Sequence, residues 1–425
     1  VEIESVKTVS EPRIADTEAD SAAAPRRRPS RRPFRRRLLR VLPLLVLTAL
    51  VGGLHAAVWW LLAGHGPGGG TFDTALAAGL ALSALAIPAG LLSTRTRREG
   101  LGAALSWAGL LALGLFSSLF VLTLLRAALL PVLDGLGLPV LGWAEASAWA
   151  VVAAAVLMTV AGFVVARWAP AVVEVPIPVA GLPAALHGFR IVQITDIHVG
   201  PTVRRGALER IVDRVNALEA DLVAITGDVV DGDVATLREH VAPLQRLRAR
   251  EGVALVLGNH ELYSGAPAWV QEFRRLGLRV LLNEHFLVAR GGATVAVAGV
   301  TDHTTARFHP DWACDPHAAI RGAGAAADLR LLLAHQPVTA LAAAEAGYHL
   351  ALHGHTHGGQ WWPWNHFVRL QQPVVKGLHR FGSLWSYTSV GTGYWGPPKR
   401  HFRREITRLT LVPAADRDIC ASDQS

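Results

Sequence analysis

The chain has 425 residues, enough for two or three domains, and combines 51% hydrophobic with only 17% charged residues, a balance that places part of it in lipid. Its formal charge of +8 is accounted for by nine arginines within residues 26–40, so the rest is near neutral and a broad nucleic-acid-binding face has little support. Two cysteines, Cys314 and Cys420, argue against a disulfide-stapled scaffold and form no metal-ligand spacing.

Residues 1–40 read as a disordered N-terminal tail, acidic and polar at first and then basic. Four apolar stretches follow, at about 41–63, 72–93, 101–125 and 146–166. Each is near the ~20 residues a helix needs to cross the hydrocarbon core. Residues 41–167 are therefore expected to form a transmembrane domain of about four helices. The arginine run before the first stretch, and Arg95, Arg97 and Arg98 between the second and third, put the N-terminus and the chain after Arg167 inside the cell. Ser30-Arg31-Arg32-Pro33-Phe34 resembles a twin-arginine export signal, which keeps an extracytoplasmic domain as the alternative.

Residues 168–187 read as an extended linker or an edge strand, and 414–425 as a C-terminal tail. Between them, 188–413 alternate β-rich runs with helical patterns. The runs are 189–194, 222–225, 253–257, 294–300, 329–334, 349–352, 383–390 and 405–412. Leu208, Ile211, Val212, Val215 and Leu218 share one helical face, and a second helix is expected over 338–346, introduced by Pro337. Alternating strands and helices imply a layered α/β domain.

Sixteen of eighteen histidines lie at or after His187, and those with carboxylate or amide neighbours fall where strands end. Thr195-Asp196-Ile197-His198, Gly227-Asp228, Gly258-Asn259-His260-Glu261, His335 and Gly354-His355-Thr356-His357 each follow an apolar run. In α/β layers such strand ends carry function. Hard oxygens and imidazoles without thiolates suit two divalent ions such as Mn, Fe or Zn. The glycines before Asp228, Asn259 and His355 are expected to give the sharp turns that aim those side chains.

The ordered set D-x-H, GD-x-x-[DE], GNH-[DE], H and GH-x-H resembles the calcineurin-like metallophosphoesterase superfamily. The opening Gly188-Phe189-Arg190-Ile191-Val192-Gln193-Ile194 and the tail Gly358-Gly359-Gln360 are similar to its membrane-associated YkuE/YaeI-like branch. The resemblance covers about 176–413 and implies an α/β/β/α domain. It also implies that Asp196, His198 and His357 hold one metal, that Asn259, His335 and His355 hold the second, and that Asp228 bridges them. His260 would protonate or stabilise the leaving oxygen. Two such cations would lower the pKa of a water and offset charge on the phosphoryl oxygens.

Asp231 and Glu261 read as hydrogen-bonding groups rather than ligands, and His353 as structural. Asp302 and His303 could face the site or form a plain turn. Trp361, Trp362, Trp364 and Phe367 form an aromatic cluster that could meet the headgroup layer, with a packed loop as the plainer reading. Lys399, Arg400, Arg403 and Arg404 suit either anionic lipid or a solvated strand edge. The expected function is a membrane-anchored phosphoesterase acting on a mono- or diester, with a lipid as candidate substrate and the bilayer as partner. The alternatives are a nucleotide phosphodiesterase or nuclease, and a non-catalytic membrane-tethered scaffold. No acidic residue interrupts the middle of an apolar stretch, which argues against a transporter.

Overall fold

The computed structural model describes residues 32–63, 70–93, 99–323 and 327–414. The expected tail up to residue 31, Arg95, Arg97, Arg98, Cys420 and the C-terminal tail beyond residue 414 lie outside them.

Four long helices open the described chain: α1 (Arg32–Leu62), α2 (Thr71–Leu92), α3 (Glu99–Gly135) and α4 (Val140–Arg167). Each contains a segment long and apolar enough to cross a membrane, namely Leu45–Leu62, Thr71–Leu92, Gly100–Gly135 and Gly142–Arg167. The third helix continues to Gly135 instead of ending near residue 125, and the fourth begins at Val140. Arg126, which reads in sequence as the start of a connection, is only 7% exposed. Its guanidinium donates to Leu61 O, to Ala144 O and to Ser147 Oγ at 2.7–3.1 Å, so carbonyl oxygens replace the water its charge would otherwise need. Helices α2 and α3 touch at Gly90 and Gly109, where a Cβ on Gly90 would lie 2.7 Å from Gly109 Cα, the close approach small residues permit in lipid.

The soluble domain follows as β1 (Ala171–Val179), β2 (Arg190–Ile194), α5 (Arg205–Asn216), β3 (Leu222–Thr226), α6 (Val234–Val241), β4 (Val253–Val256), α7 (Asn259–Tyr263), α8 (Ala266–Arg275), β5 (Arg279–Val280), β6 (Glu284–Arg290), β7 (Ala293–Gly299), α9 (Pro316–Ala319), β8 (Leu329–Leu333), α10 (Ala340–Glu345), β9 (Leu350–His353), α11 (Trp364–Phe367), β10 (Gly377–Phe381), β11 (Leu384–Thr388) and β12 (Glu405–Pro413). All eight expected strands are present. Strand β1 lies within the segment read as linker or edge strand and pairs in parallel with β12, from Ala171 opposite Glu405 to Val179 opposite Pro413. Its edge position explains how Pro176 and Pro178 fit inside a strand.

Two six-stranded sheets form, ordered β1-β12-β2-β3-β4-β5 and β10-β11-β9-β8-β7-β6. Alternate residues divide between two cores. In β2, Val192 and Ile194 join α5, α6 and α8 on the outer face, while Ile191 turns to the seam between the sheets. There Leu222, Ala224 and Val256 of one sheet meet Val295, Val297, Leu331 and Leu352 of the other. Helices α9 and α10 cover the far face. Burial on both faces explains why these strands read as continuous apolar runs. The result is an α/β/β/α sandwich with β2, β3 and β4 parallel in one sheet and β8 and β9 parallel in the other.

Candidate metal centre

The polar motifs leave the sheets directly after these parallel strands: Asp196 and His198 after β2, Asp228 after β3, Asn259 and His260 at the start of α7 after β4, His335 after β8, and His355 and His357 after β9. Among the described residues, eight other than glycine have positive φ, and five of them are Asp196, His198, Asp228, His355 and His357. Left-handed backbone at such residues costs about 1–3 kcal/mol each and gathers at functional sites.

The preceding glycines serve two different ends. Gly227 is itself left-handed, at φ +90°, and gives a turn as expected. Gly258 sits at φ −100°, and neither it nor Gly354 has positive φ. Their requirement is for space: a Cβ on Gly258 would lie 2.1 Å from Asp228 Oδ1, and one on Gly354 would lie 2.1 Å from Thr195 Oγ1.

Ligand-type atoms converge within 4.8 Å in three groups, Asp196 with His198 and His357, Asp228 with His335 and His355, and His198 with Asp231 and His260; the first two hold the expected ligands. His198 Nε2 faces His357 Nε2 at 3.1 Å, and His335 Nε2 faces His355 Nδ1 at 3.2 Å. The other nitrogens fix the tautomers. His198 Nδ1 donates to Asp231 Oδ1 at 2.9 Å and His335 Nδ1 donates to Thr226 O at 2.7 Å, so in the neutral ring Nε2 is the nitrogen offered to a cation. A cation lying between either pair of nitrogens would take both as ligands. Asn259 Oδ1 is buried with no hydrogen-bond partner, as an oxygen ligand would be. Asp228 Oδ2 lies 3.0 Å from His335 Nε2 and 3.8 Å from His198 Nε2, so one carboxylate oxygen faces both groups. The donor set therefore fits two divalent cations.

Burial and charge act in both directions here: burial raises the Asp196 carboxyl, and although burial disfavours His335 as a cation, Asp228 and Asp196 push that ring well above the usual imidazole range. Burial holds the His355 ring down at about 4 and His357 well below the usual imidazole range, which keeps both neutral and able to ligate. Burial opposes charge on Asp228, yet His335, His260 and His198 hold its carboxyl well below the usual carboxylate range.

The calcineurin-like phosphoesterase family profile matches residues 189–359, a stretch that holds every residue of both groups. These residues are a calcineurin-like metallophosphoesterase domain. A transmembrane protein with metallophosphoesterase domain from Danio rerio is 38% identical over 267 residues, 61% of this chain and 61% of that protein. An uncharacterized metallophosphoesterase of Helicobacter pylori is 35% identical over 247 residues, 57% of this chain and 64% of its own. The uncharacterized metallophosphoesterase YkuE of Bacillus subtilis is 29% identical over 242 residues, 54% of this chain and 81% of its own. The match thus spans about three fifths of the fish protein.

Around these candidate ligands, Glu261 is fully buried and accepts from the backbone N–H groups of Asp228, Val229, Val230 and Gly258 at 2.7–3.1 Å, which fixes the β3 and β4 loops together. Asp231 Oδ1 accepts from both His198 Nδ1 and His260 Nδ1. The His260 ring is disfavoured as a cation by burial, but Asp228, Asp231 and Glu261 outweigh this and push it up to about 9. His260 Nε2 stands 4.0 Å from Asp228 Oδ2, and its ring groups with His198 and Asp231 rather than with either set of expected ligands. Asp302 is buried and accepts from Gln336 Nε2, beside His335, whereas His303 is exposed. His353 is fully buried, and burial holds it neutral, down at about 3.

Of the basic residues near 400, Lys399, Arg400 and Arg404 are buried and depart from both sequence readings, while Arg403 stays exposed. Lys399 and Arg400 are 1% and 0% exposed. Arg400 donates to His357 O, Gly393 O and Val390 O, and its own N–H donates to Gly162 O of α4 at 2.9 Å. Lys399 Nζ donates to Gly114 O and Ser118 Oγ of α3. These cations tie the metallophosphoesterase loops to membrane helices. Arg400 has no motif around it, so nothing in the sequence separates it from a surface arginine.

Proposed function

We propose that the protein is a two-metal phosphoesterase whose substrate is a phosphoester of a membrane lipid, drawn from the bilayer beside its own helices. The observation that carries this is a cavity of about 490 Å³ whose lining joins His355 and His357 to Leu54, Phe116 and Phe120 of the membrane helices. A soluble ester has no need of an apolar passage from lipid to metal ligands, whereas an acyl chain does.

When bound, the two cations would activate water and offset phosphoryl charge. Asp196, His198 and His357 would hold one and Asn259, His335 and His355 the other, with Asp228 between them. His260 gives its Nε2 proton to the departing oxygen, and Asp231 holds that ring with Nε2 directed away from its own carboxylate. Mn, Fe and Zn all suit this ligand set. The catalytic domain is assigned to the cytoplasmic face, supported by the arginines of residues 26–40 and by those between α2 and α3.

The test compares two substrates on the purified full chain supplied with Mn²⁺: a phospholipid in mixed micelles and bis(p-nitrophenyl) phosphate in solution. Leu54→Trp, which fills the cavity, should cut lipid turnover at least tenfold more than turnover of the soluble diester. Equal losses, or efficient cleavage of soluble nucleotides with none of lipid, would refute the lipid reading.

A further inference from the structure

A second cavity adjoins the first. It measures about 450 Å³ and is lined by His260, Asp231, Asp233, Ser264 and Tyr263 from the catalytic domain. Leu113, Trp395 and Pro397 line both cavities and so form their common wall. The two chambers differ in lining: the first, which holds His355 and His357, is almost wholly apolar otherwise, while the second, though also bounded by Leu91, Leu110 and Tyr263, adds the carboxylates of Asp231 and Asp233 and the Ser264 hydroxyl.

Their places along the bundle differ as well. The second chamber reaches Gly90 and Leu91, at the end of α2, and Ser106, Leu110 and Leu113 of α3. The apolar chamber reaches Leu113, Phe116, Ser117 and Phe120 of α3. At 1.5 Å per residue this sets the apolar chamber about 10 Å further along α3, away from the end of the bundle where α2 stops and α3 begins. A lipid in a bilayer has the same order, with its alcohol headgroup outermost and its chains inward.

We infer that the substrate is a phosphodiester lipid bound with its acyl portion in the apolar chamber and its headgroup alcohol in the chamber of His260, so that the bond broken is the one between phosphorus and the headgroup oxygen. This rests on the lipid reading above and adds which ester is cut. Water supplies the new oxygen on phosphorus, the headgroup oxygen leaves with its bonding pair and takes the proton from His260 Nε2, and the phosphate stays on the lipid as a monoester. One proton from the water returns His260 to its starting state, so the step is a hydrolysis and needs no other reactant. The reverse placement would set acyl chains against Asp231, Asp233 and Ser264.

The full chain, purified in detergent with Mn²⁺, is given phosphatidylglycerol in mixed micelles made with ¹⁸O-water, and the products are read by mass spectrometry. The expected products are phosphatidate carrying one ¹⁸O, and unlabelled glycerol. Diacylglycerol with labelled glycerol phosphate would overturn the assignment while leaving the lipid reading intact. No turnover of phospholipid beside rapid turnover of bis(p-nitrophenyl) phosphate would remove the lipid reading and this inference with it. In the first case, Ser264→Trp should lower phosphatidylglycerol turnover at least fivefold more than that of a methyl-headgroup phosphatidyl ester. An equal effect on both would also count against a headgroup at that position.

Discussion

His260 Nδ1 donates a hydrogen bond to Asp231 Oδ1 at 2.7 Å, onto the same oxygen that holds His198 Nδ1 at 2.9 Å. One carboxylate thereby orients a proposed metal ligand and the proposed acid together. Asp231→Ala should weaken metal binding and turnover at once, each by roughly 10–100-fold. Metal titration and kcat at saturating Mn²⁺ separate the two effects, and an unchanged metal affinity would refute this shared role.

Asp228 faces both ligand groups with one oxygen. Asp228→Asn should therefore lose both ions together, whereas His355→Ala should weaken one more than the other. Metal analysis of the purified variants decides it, and retention of one full equivalent by Asp228→Asn would contradict the bridge.

Much of this site was legible because the motifs are local and the strands before them are buried on both faces. Gly-Asn-His-Glu and Gly-His-Thr-His name their chemistry within four residues, and apolar runs such as Leu329–Leu333 mark the strands that deliver them. Other features depend on contacts far apart in sequence. Strand β1 exists because β12 pairs with it, about 230 residues on. Edge strands β6 and β10 carry Glu284, His285, His379 and Arg380, so they lack the periodicity a sequence reading needs. The extent of α3 was hidden by Arg126, whose charge suggests a loop until Leu61 and Ala144 supply its acceptors.

Lys399 makes a pH prediction. Burial lowers its ammonium from 10.5 to about 8. Between about pH 8 and 10.5 the unfolded chain thus binds more protons than the folded one, so this residue makes stability rise with pH across that window, by at most about 3 kcal/mol. Below pH 8 both states are charged and the burial cost is constant. In Lys399→Met the rise should vanish, with higher stability than wild type at neutral pH. Thermal unfolding in detergent from pH 7 to 10.5 checks both, and identical profiles would refute the burial of a charged amine between α3 and α4.

The aromatic loop bears on substrate access. Trp361 and Trp364 donate through their indole N–H groups to Ser117 Oγ, at 3.3 and 2.8 Å, within the span of α3. Trp362, Phe367 and Leu370 stay exposed, Leu370 at 81%. Replacing these three by serine should lower turnover of vesicle lipid several-fold while turnover of bis(p-nitrophenyl) phosphate holds. Equal effects would make the loop a packing element only.

The most direct measurement is metal content and Mn²⁺-dependent hydrolysis of bis(p-nitrophenyl) phosphate, for the wild-type chain and His260→Ala side by side. The account predicts about two ions per chain in both proteins and a loss of turnover in the variant of roughly 10²-fold or more. A wild type that neither retains metal nor turns over, or a variant as active as wild type, would contradict it.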